Sequence, residues 1–134
     1  MSEPEEGAFV HRVRVYYEDT DAAGVVYYAN YLKYAERGRT EALRAVGIEQ
    51  RELAARDGVQ FVVRRVAADF RMPARLDDCL EVVTRTTDIG GATIAMEQVI
   101  RRGADTLVTL TVDIAAVGAR GERAGRAMRL PPRP

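Results

Sequence analysis

Residues 13–48 read VRVYYEDTDAAGVVYYANYLKYAERGRTEALRAVGI, and how this stretch is divided decides the fold. Its first residues alternate. Val13, Val15 and Tyr17 point one way, Arg12, Arg14 and Tyr16 the other, which is the period of a strand with one buried face. The alternation begins at Ala8 and stops at three acids, Glu18, Asp19 and Asp21. Beyond Gly24 the period changes. Tyr28, Leu32, Ala35, Leu43 and Val46 recur at near-helical spacing, and Gly47 stands where a glycine ends a helix. A helix is therefore expected from about residue 29 to residue 46. Gly38 inside it lowers helix propensity by about 1 kcal/mol against alanine, so a close neighbour is expected there.

Downstream of a second short helix near 49–57, the period returns to two and stays there. Val62, Val66, Ala68, Phe70 and Met72 are expected to share one face of a strand that Pro73 ends. Leu80–Thr87 is the next strand, with a turn at 88–91. Ile94, Met96 and Ile100 mark another, and 102–105 is a tight turn. Val108, Leu110, Val112, Ile114 and Ala116 give the cleanest alternation. The Arg-, Gly- and Pro-rich end is expected to leave the sheet, and residues 1–7 and about 121–134 to be flexible. Strand runs separated from helices make one α+β domain over 1–134, a sheet of about five antiparallel strands with one long helix against it. Its edge strands are a liability that pairing two sheets in a dimer removes.

Composition narrows the function. The chain has 134 residues, with 20 basic and 20 acidic side chains, so it has no net field for nucleic acid. No apolar run approaches the ~18 residues of a membrane span. The acidic lead MSEPEEG has no signal-peptide pattern, which favours the cytoplasm. Cys79 is the only cysteine, expected half-buried in a strand. His11 is the only histidine, expected at the surface where the first strand begins. Any Ser-His-Asp or Cys-His mechanism must run through His11, and a zinc site would have to lean on carboxylates.

The acids ahead of the helix admit two readings. They are common there as caps, because a helix N-terminus is partly positive. The same free N–H groups also form a site for a carbonyl oxygen or oxyanion, and a carboxylate held opposite them attacks a carbonyl or activates water. Gly24 would let a substrate approach the backbone.

The stretch 13–48, with its Y-x-D-x-D-x-x-G-x-V-Y pattern, resembles the signature of the hotdog-fold acyl-CoA thioesterases. It is most similar to the Tol-Pal-associated branch, with the 4-hydroxybenzoyl-CoA thioesterases as wider relatives. The resemblance implies a five-stranded antiparallel sheet wrapped around one long helix, paired into homodimers that often form homotetramers. It implies hydrolysis of acyl-CoA thioesters, or of acyl carrier protein thioesters, with no metal or cofactor. It makes Asp21 the catalytic aspartate, as nucleophile or general base, and gives the backbone N–H of Tyr28 the thioester oxygen. Gly24, Val25, Tyr31 and Glu36 are the expected substrate-binding positions. The Tol-Pal branch usually carries histidine where this chain has Tyr28, and the hydroxybenzoyl branch carries tyrosine. Glu36 pairing with Arg39 is the plain alternative to a substrate role. Arg85, Arg101, Arg102, Arg120, Arg123, Arg126 and Arg129 are the candidates for the coenzyme A phosphates. The rival functions are a hotdog dehydratase or hydratase, for which His11 is badly placed, and a non-catalytic acyl-CoA-binding or envelope-machinery partner of the same fold.

Overall fold

The computed structural model describes residues 7–121 and 124–130. The chain runs β1 (Ala8–Arg14), a single 3-10 turn (Tyr17–Asp19), α1 (Tyr28–Ala45), α2 (Gln50–Asp57), β2 (Val59–Phe70), β3 (Cys79–Ile89), β4 (Thr93–Arg102) and β5 (Asp105–Gly118). The five strands form one antiparallel sheet in the order β1-β3-β4-β5-β2. This is the fold class that the sequence implied. The long helix lies within one residue of its expected ends.

The sequence encodes the C-terminal end of α1. At the C-terminus Gly47 takes φ +85°. Ile48 N–H then donates to Leu43 O at 2.9 Å and Gly47 N–H to Arg44 O at 3.0 Å, a Schellman stop that satisfies the last carbonyls. At the N-terminus Tyr27 is extended and caps nothing with its side chain. The buried stripe differs from the expected one. Tyr31, Tyr34, Ala35, Gly38 and Leu43 are buried, while Tyr28, Leu32 and Val46 are exposed. Ala35 and Leu43 are buried as expected, but Tyr31 and Tyr34 turn inward in place of Tyr28 and Leu32.

Gly38 marks the closest approach. A Cβ there would lie 2.6 Å from Val82 Cγ1 and 3.3 Å from both Gln98 Nε2 and Thr84 Oγ1. Beneath it Gln98, 1% exposed, donates to Ala35 O and Thr84 Oγ1, each at 2.9 Å. Its carbonyl accepts from Arg39 Nη1 at 3.0 Å, so the buried amide is satisfied at both ends. Gly38→Ala should lower the melting temperature. Overpacking against a stiff valine costs about 1–3 kcal/mol, more than the roughly 1 kcal/mol gained in helix propensity. A variant that melts at or above the wild-type temperature would show that Val82 yields freely.

Strand β2 departs from the expected face. Val63 pairs with Ile114 and Val66 with Val112, whereas Val62 pairs with Ala115. A bulge at Arg64 inserts one residue, so Val62 faces away from Val66, Ala68 and Phe70. Tyr17 likewise leaves the alternation, because the chain has already turned, and it is exposed. His11 is half-buried rather than on the surface, and Cys79 is exposed rather than half-buried. The tail also returns to the sheet. Gly118 N–H donates to Arg126 O and Met128 N–H to Ala116 O, and Leu130 packs on the core. The remaining residues for which flexibility was expected lie mostly outside the described ones.

Helix α1 packs across β1, β3 and β4, and α2 packs on β2. Beyond Phe61 the apolar residues on that face of β2 are largely uncovered. Val63, Val66 and Phe70 are 47%, 41% and 46% exposed.

Candidate active site

The acids ahead of α1 have separate tasks. Asp19 is structural. Its Oδ2 accepts the Tyr16 N–H at 2.9 Å, closing the 3-10 turn. Its carbonyl accepts Tyr27 N–H at 3.0 Å and Asn30 Nδ2 at 2.9 Å, tying that turn to the start of the helix. Glu18 is exposed on the same turn. Asp21 opens a tight turn closed by Gly24 N–H to Asp21 O at 3.0 Å and Asp21 N–H to Val25 O at 2.9 Å. Gly24 is required there by its φ of +79°, and the space around it is open. One oxygen of Asp21 accepts Ala23 N–H at 2.9 Å, and the other is free among the described residues. The side chain is exposed.

The Thr20–Val26 bridge returns the chain from this turn straight to α1. Tyr28 is the first helical residue, so its N–H has no acceptor within the helix. Its ring, 60% exposed, meets Phe70 edge-on at 5.9 Å and lies 4.9 Å from Tyr27. A free carboxylate on one turn and a free N–H at the next are the two groups that acyl transfer to water needs.

The segment between β2 and β3 supports this loop from behind. Val26 N–H donates to Ala74 O at 2.9 Å, and Val25 bridges Arg75. Ala74 N–H donates to Tyr31 Oη at 2.9 Å. Burial raises the Tyr31 pKa, so the hydroxyl stays protonated and neutral. The segment is anchored at its far end by Asp78, which accepts Arg75 N–H at 2.8 Å and Arg102 Nη1 at 2.7 Å. Burial opposes ionisation of Asp78, but those two donors outweigh it and hold its pKa below the usual aspartate value. Asp77 adopts φ +69°, a left-handed conformation that aspartate tolerates in turns. Tyr34 lies deeper, with its hydroxyl buried and lacking a well-formed hydrogen bond. Burial first, and then the nearby Asp19, push its pKa well above the ordinary phenol range.

Of the expected binding positions, Gly24 and Val25 belong to the Asp21 turn. Tyr31 is 3% exposed and packs behind it, between Tyr34 and Phe70. Glu36 is exposed on α1; Arg39, its expected partner, feels the charge of Glu36 and donates its hydrogen bond to Gln98. The arginines proposed for phosphate do not gather at the site. Arg85 pairs with Glu97, Arg101 with Glu81 and Arg102 with Asp78, while Arg120 donates to Ala54 O and Ala55 O. Arg126 and Arg129 are exposed, and Arg123 lies outside the described residues. Arg75, which composition does not single out, is the arginine whose backbone pairs with the motif. Among the described residues no His, Cys, Asp and Glu cluster has the makings of a metal site. A concavity of about 910 Å³ lies at the other end of α1, lined by Leu43, Ile48, Leu53, Phe61 and Met96. None of the expected site residues lines it.

Comparison with known proteins decides the family. Residues 23–109 match the model of the thioesterase superfamily. The chain belongs to the thioesterase superfamily. An acyl-CoA thioesterase, YbgC, of Haemophilus influenzae is 46% identical over 112 residues, which is 84% of this chain and 82% of that one. An acyl-CoA thioester hydrolase, also YbgC, of an Escherichia coli O6:H1 strain is 48% identical over 96 residues, 72% of this chain and 71% of that one. The crystal structure of a probable thioesterase from Bartonella henselae superposes with a TM-score of 0.86 at 41% identity, covering 92% of this chain and 99% of that one. Five antiparallel strands around a long helix are thus the hotdog fold of this superfamily. No helix in the described residues of this superfamily member is long and apolar enough to cross a membrane.

Proposed function

We propose that the protein hydrolyses acyl-CoA thioesters to the free acid and coenzyme A, with Asp21 as its catalytic carboxylate. One observation carries the reading: the exposed, half-occupied carboxylate of Asp21 sits one short turn before the unoccupied N–H of Tyr28 at the helix start. In this reading the thioester oxygen accepts from Tyr28 N–H, where the helix dipole favours developing negative charge. Asp21 either attacks the carbonyl carbon or takes a proton from the water that does. If Asp21 takes the proton, it passes it to the thiolate as the C–S bond breaks. If Asp21 attacks, the thiolate leaves and takes its proton from solvent, and water then cleaves the acyl–aspartyl anhydride to the free acid and restores Asp21. Gly24 and Val25 form the wall beside the carbonyl, and Arg75 supplies a positive charge near the motif. Glu36 enters only as an exposed group further along the helix. An acyl carrier protein thioester presents the same reacting group. One cysteine in 134 residues suits a reducing compartment, and the cytoplasm is part of the proposal.

The test is thiol release from acyl-CoAs of short, long and aromatic acyl groups. Turnover supports the reading. Tight binding of acyl-CoA without turnover overturns it in favour of a binding protein that shares the pocket.

The same reading includes a homodimer, assembling further into a homotetramer. β2 is a 12-residue edge strand with exposed valines and an exposed Phe70. Such an edge invites pairing with a second copy. Sedimentation at micromolar concentration should give a dimer or larger species. An active monomer would refute this part of the proposal.

A further inference from the structure

We propose that Tyr31 is a positioning residue for hydrolysis, its hydroxyl fixing through the Ala74 peptide how the Asp21 turn sits against the helix start. The inference rests on the assignment of Asp21 and Tyr28 above.

The Ala74 peptide is bonded on both sides. Its N–H donates to Tyr31 Oη at 2.9 Å, and its carbonyl accepts Val26 N–H at 2.9 Å. Ala74 is 0% exposed, so water does not stand in for either partner. Val26 closes the turn that carries Asp21, through the Thr20–Val26 bridge. Tyr31 stands three residues after Tyr28, one turn along the same helix. A closed mechanical loop therefore links the two reacting groups: helix start, Tyr31 hydroxyl, Ala74 peptide, Val26, Asp21 turn.

The ring of Tyr31 is clamped by Tyr34 at 6.2 Å and Phe70 at 5.8 Å, which leaves the hydroxyl little freedom. The other end of the loop is held by Asp78, through Arg75 N–H and Arg102. Arg102 Nη1 also donates to Pro73 O at 3.3 Å, next to Ala74. The brace thus has two anchors, the Tyr31 hydroxyl on the helix and the Asp78–Arg102 pair on the sheet. Reactions of this kind lose on the order of 10²-fold when a reacting group moves by an ångström.

Tyr31→Phe keeps the ring and removes only the acceptor. With a good acyl-CoA substrate, kcat should fall at least ~10-fold while KM stays within about threefold, because the loss is in alignment and not in ground-state binding. Leu53→Ala, which trims the separate core cluster under α2, is the stability control, assayed at temperatures where both variants are folded. Its kcat should match wild type. Asp78→Asn keeps an acceptor for Arg75 and discharges the pair with Arg102, and a smaller fall in kcat with unchanged KM is expected. If Tyr31→Phe and Asp78→Asn both keep kcat within twofold of the control, the positioning role is overturned while the proposed reaction stands. The same holds if Leu53→Ala loses kcat as Tyr31→Phe does. A wild-type protein that releases no thiol from any acyl-CoA overturns the reaction and the positioning role together.

Discussion

Asp21→Asn should lower kcat for acyl-CoA hydrolysis by at least ~10²-fold while leaving the fold unchanged. The amide is nearly isosteric and its oxygen still accepts the Ala23 N–H. It neither attacks a carbonyl nor takes a proton at neutral pH. The loss is larger if Asp21 is the nucleophile than if it is a base for water, since a misplaced water replaces part of a base's work. Circular dichroism and thermal melting check the fold, and steady-state thiol release checks the rate. Asp19→Asn is the matched comparison. Its oxygen still caps Tyr16 N–H, and its carbonyl, which ties the turn to Tyr27 and Asn30, is untouched. Its effect should be small in kcat. A near wild-type rate for Asp21→Asn would remove this residue from the chemistry.

Tyr28→Pro should cost about 10²–10³ in kcat, the usual loss of an oxyanion donor. The substitution deletes one N–H and little else of the backbone. Tyr28 is the first helical residue, where proline is favoured because the missing N–H has no helical acceptor. Tyr27 is already at φ −62° and ψ 129°, the extended conformation that proline demands of the residue before it. The helix should therefore form normally. Tyr28→Phe separates the ring from the amide: it keeps the N–H and the edge contact with Phe70 and should be nearly silent. If the proline and phenylalanine variants lose equal activity, the phenol and not the backbone serves the thioester. Tyr28→His, the residue usual in the Tol-Pal branch, keeps the N–H and should shift the ranking of acyl groups.

The change of period from two to 3.6 at Gly24, and back to two after Gly58, made the order of strands and helices legible in the sequence. Gly47 fixed the end of α1, and Gly38 announced the closest approach to the sheet. What pattern reading missed has physical causes. Periodicity assumes a constant register, so the bulge at Arg64 put Val62 on the wrong face. Periodicity runs the stripe of α1 through Tyr28, Leu32, Ala35, Leu43 and Val46. Ala35 and Leu43 are buried, but Tyr31 and Tyr34 are the tyrosines that turn inward, and hydrophobic periodicity cannot choose among rings with one apolar and one polar end. Composition assigned the Arg- and Gly-rich tail to solvent, although backbone hydrogen bonds at Arg126 and Met128, which any residue type makes, return it to β5. For the site, only the family resemblance set Asp21 and Tyr28 apart as candidates; residue type and spacing alone did not tell Asp19 from Asp21. That difference is a matter of which N–H each carboxylate meets, at Tyr16 and at Ala23. Ala74 and Asp78, 50 or so positions later in the chain, have no local signal at all; only the pairing of distant segments joins them to the motif.

Cys79 turns the support behind the motif into something observable in real time. It is the only cysteine in the chain, it is exposed, and it follows Asp78 directly at the start of β3. A maleimide fluorophore would therefore attach at a single place without any engineered thiol. It would sit one residue from the Asp78–Arg102 anchor and on the strand paired with Arg14. Its emission or anisotropy during stopped-flow mixing with acyl-CoA would report whether the braced segment shifts when substrate arrives, and how fast it settles after product leaves.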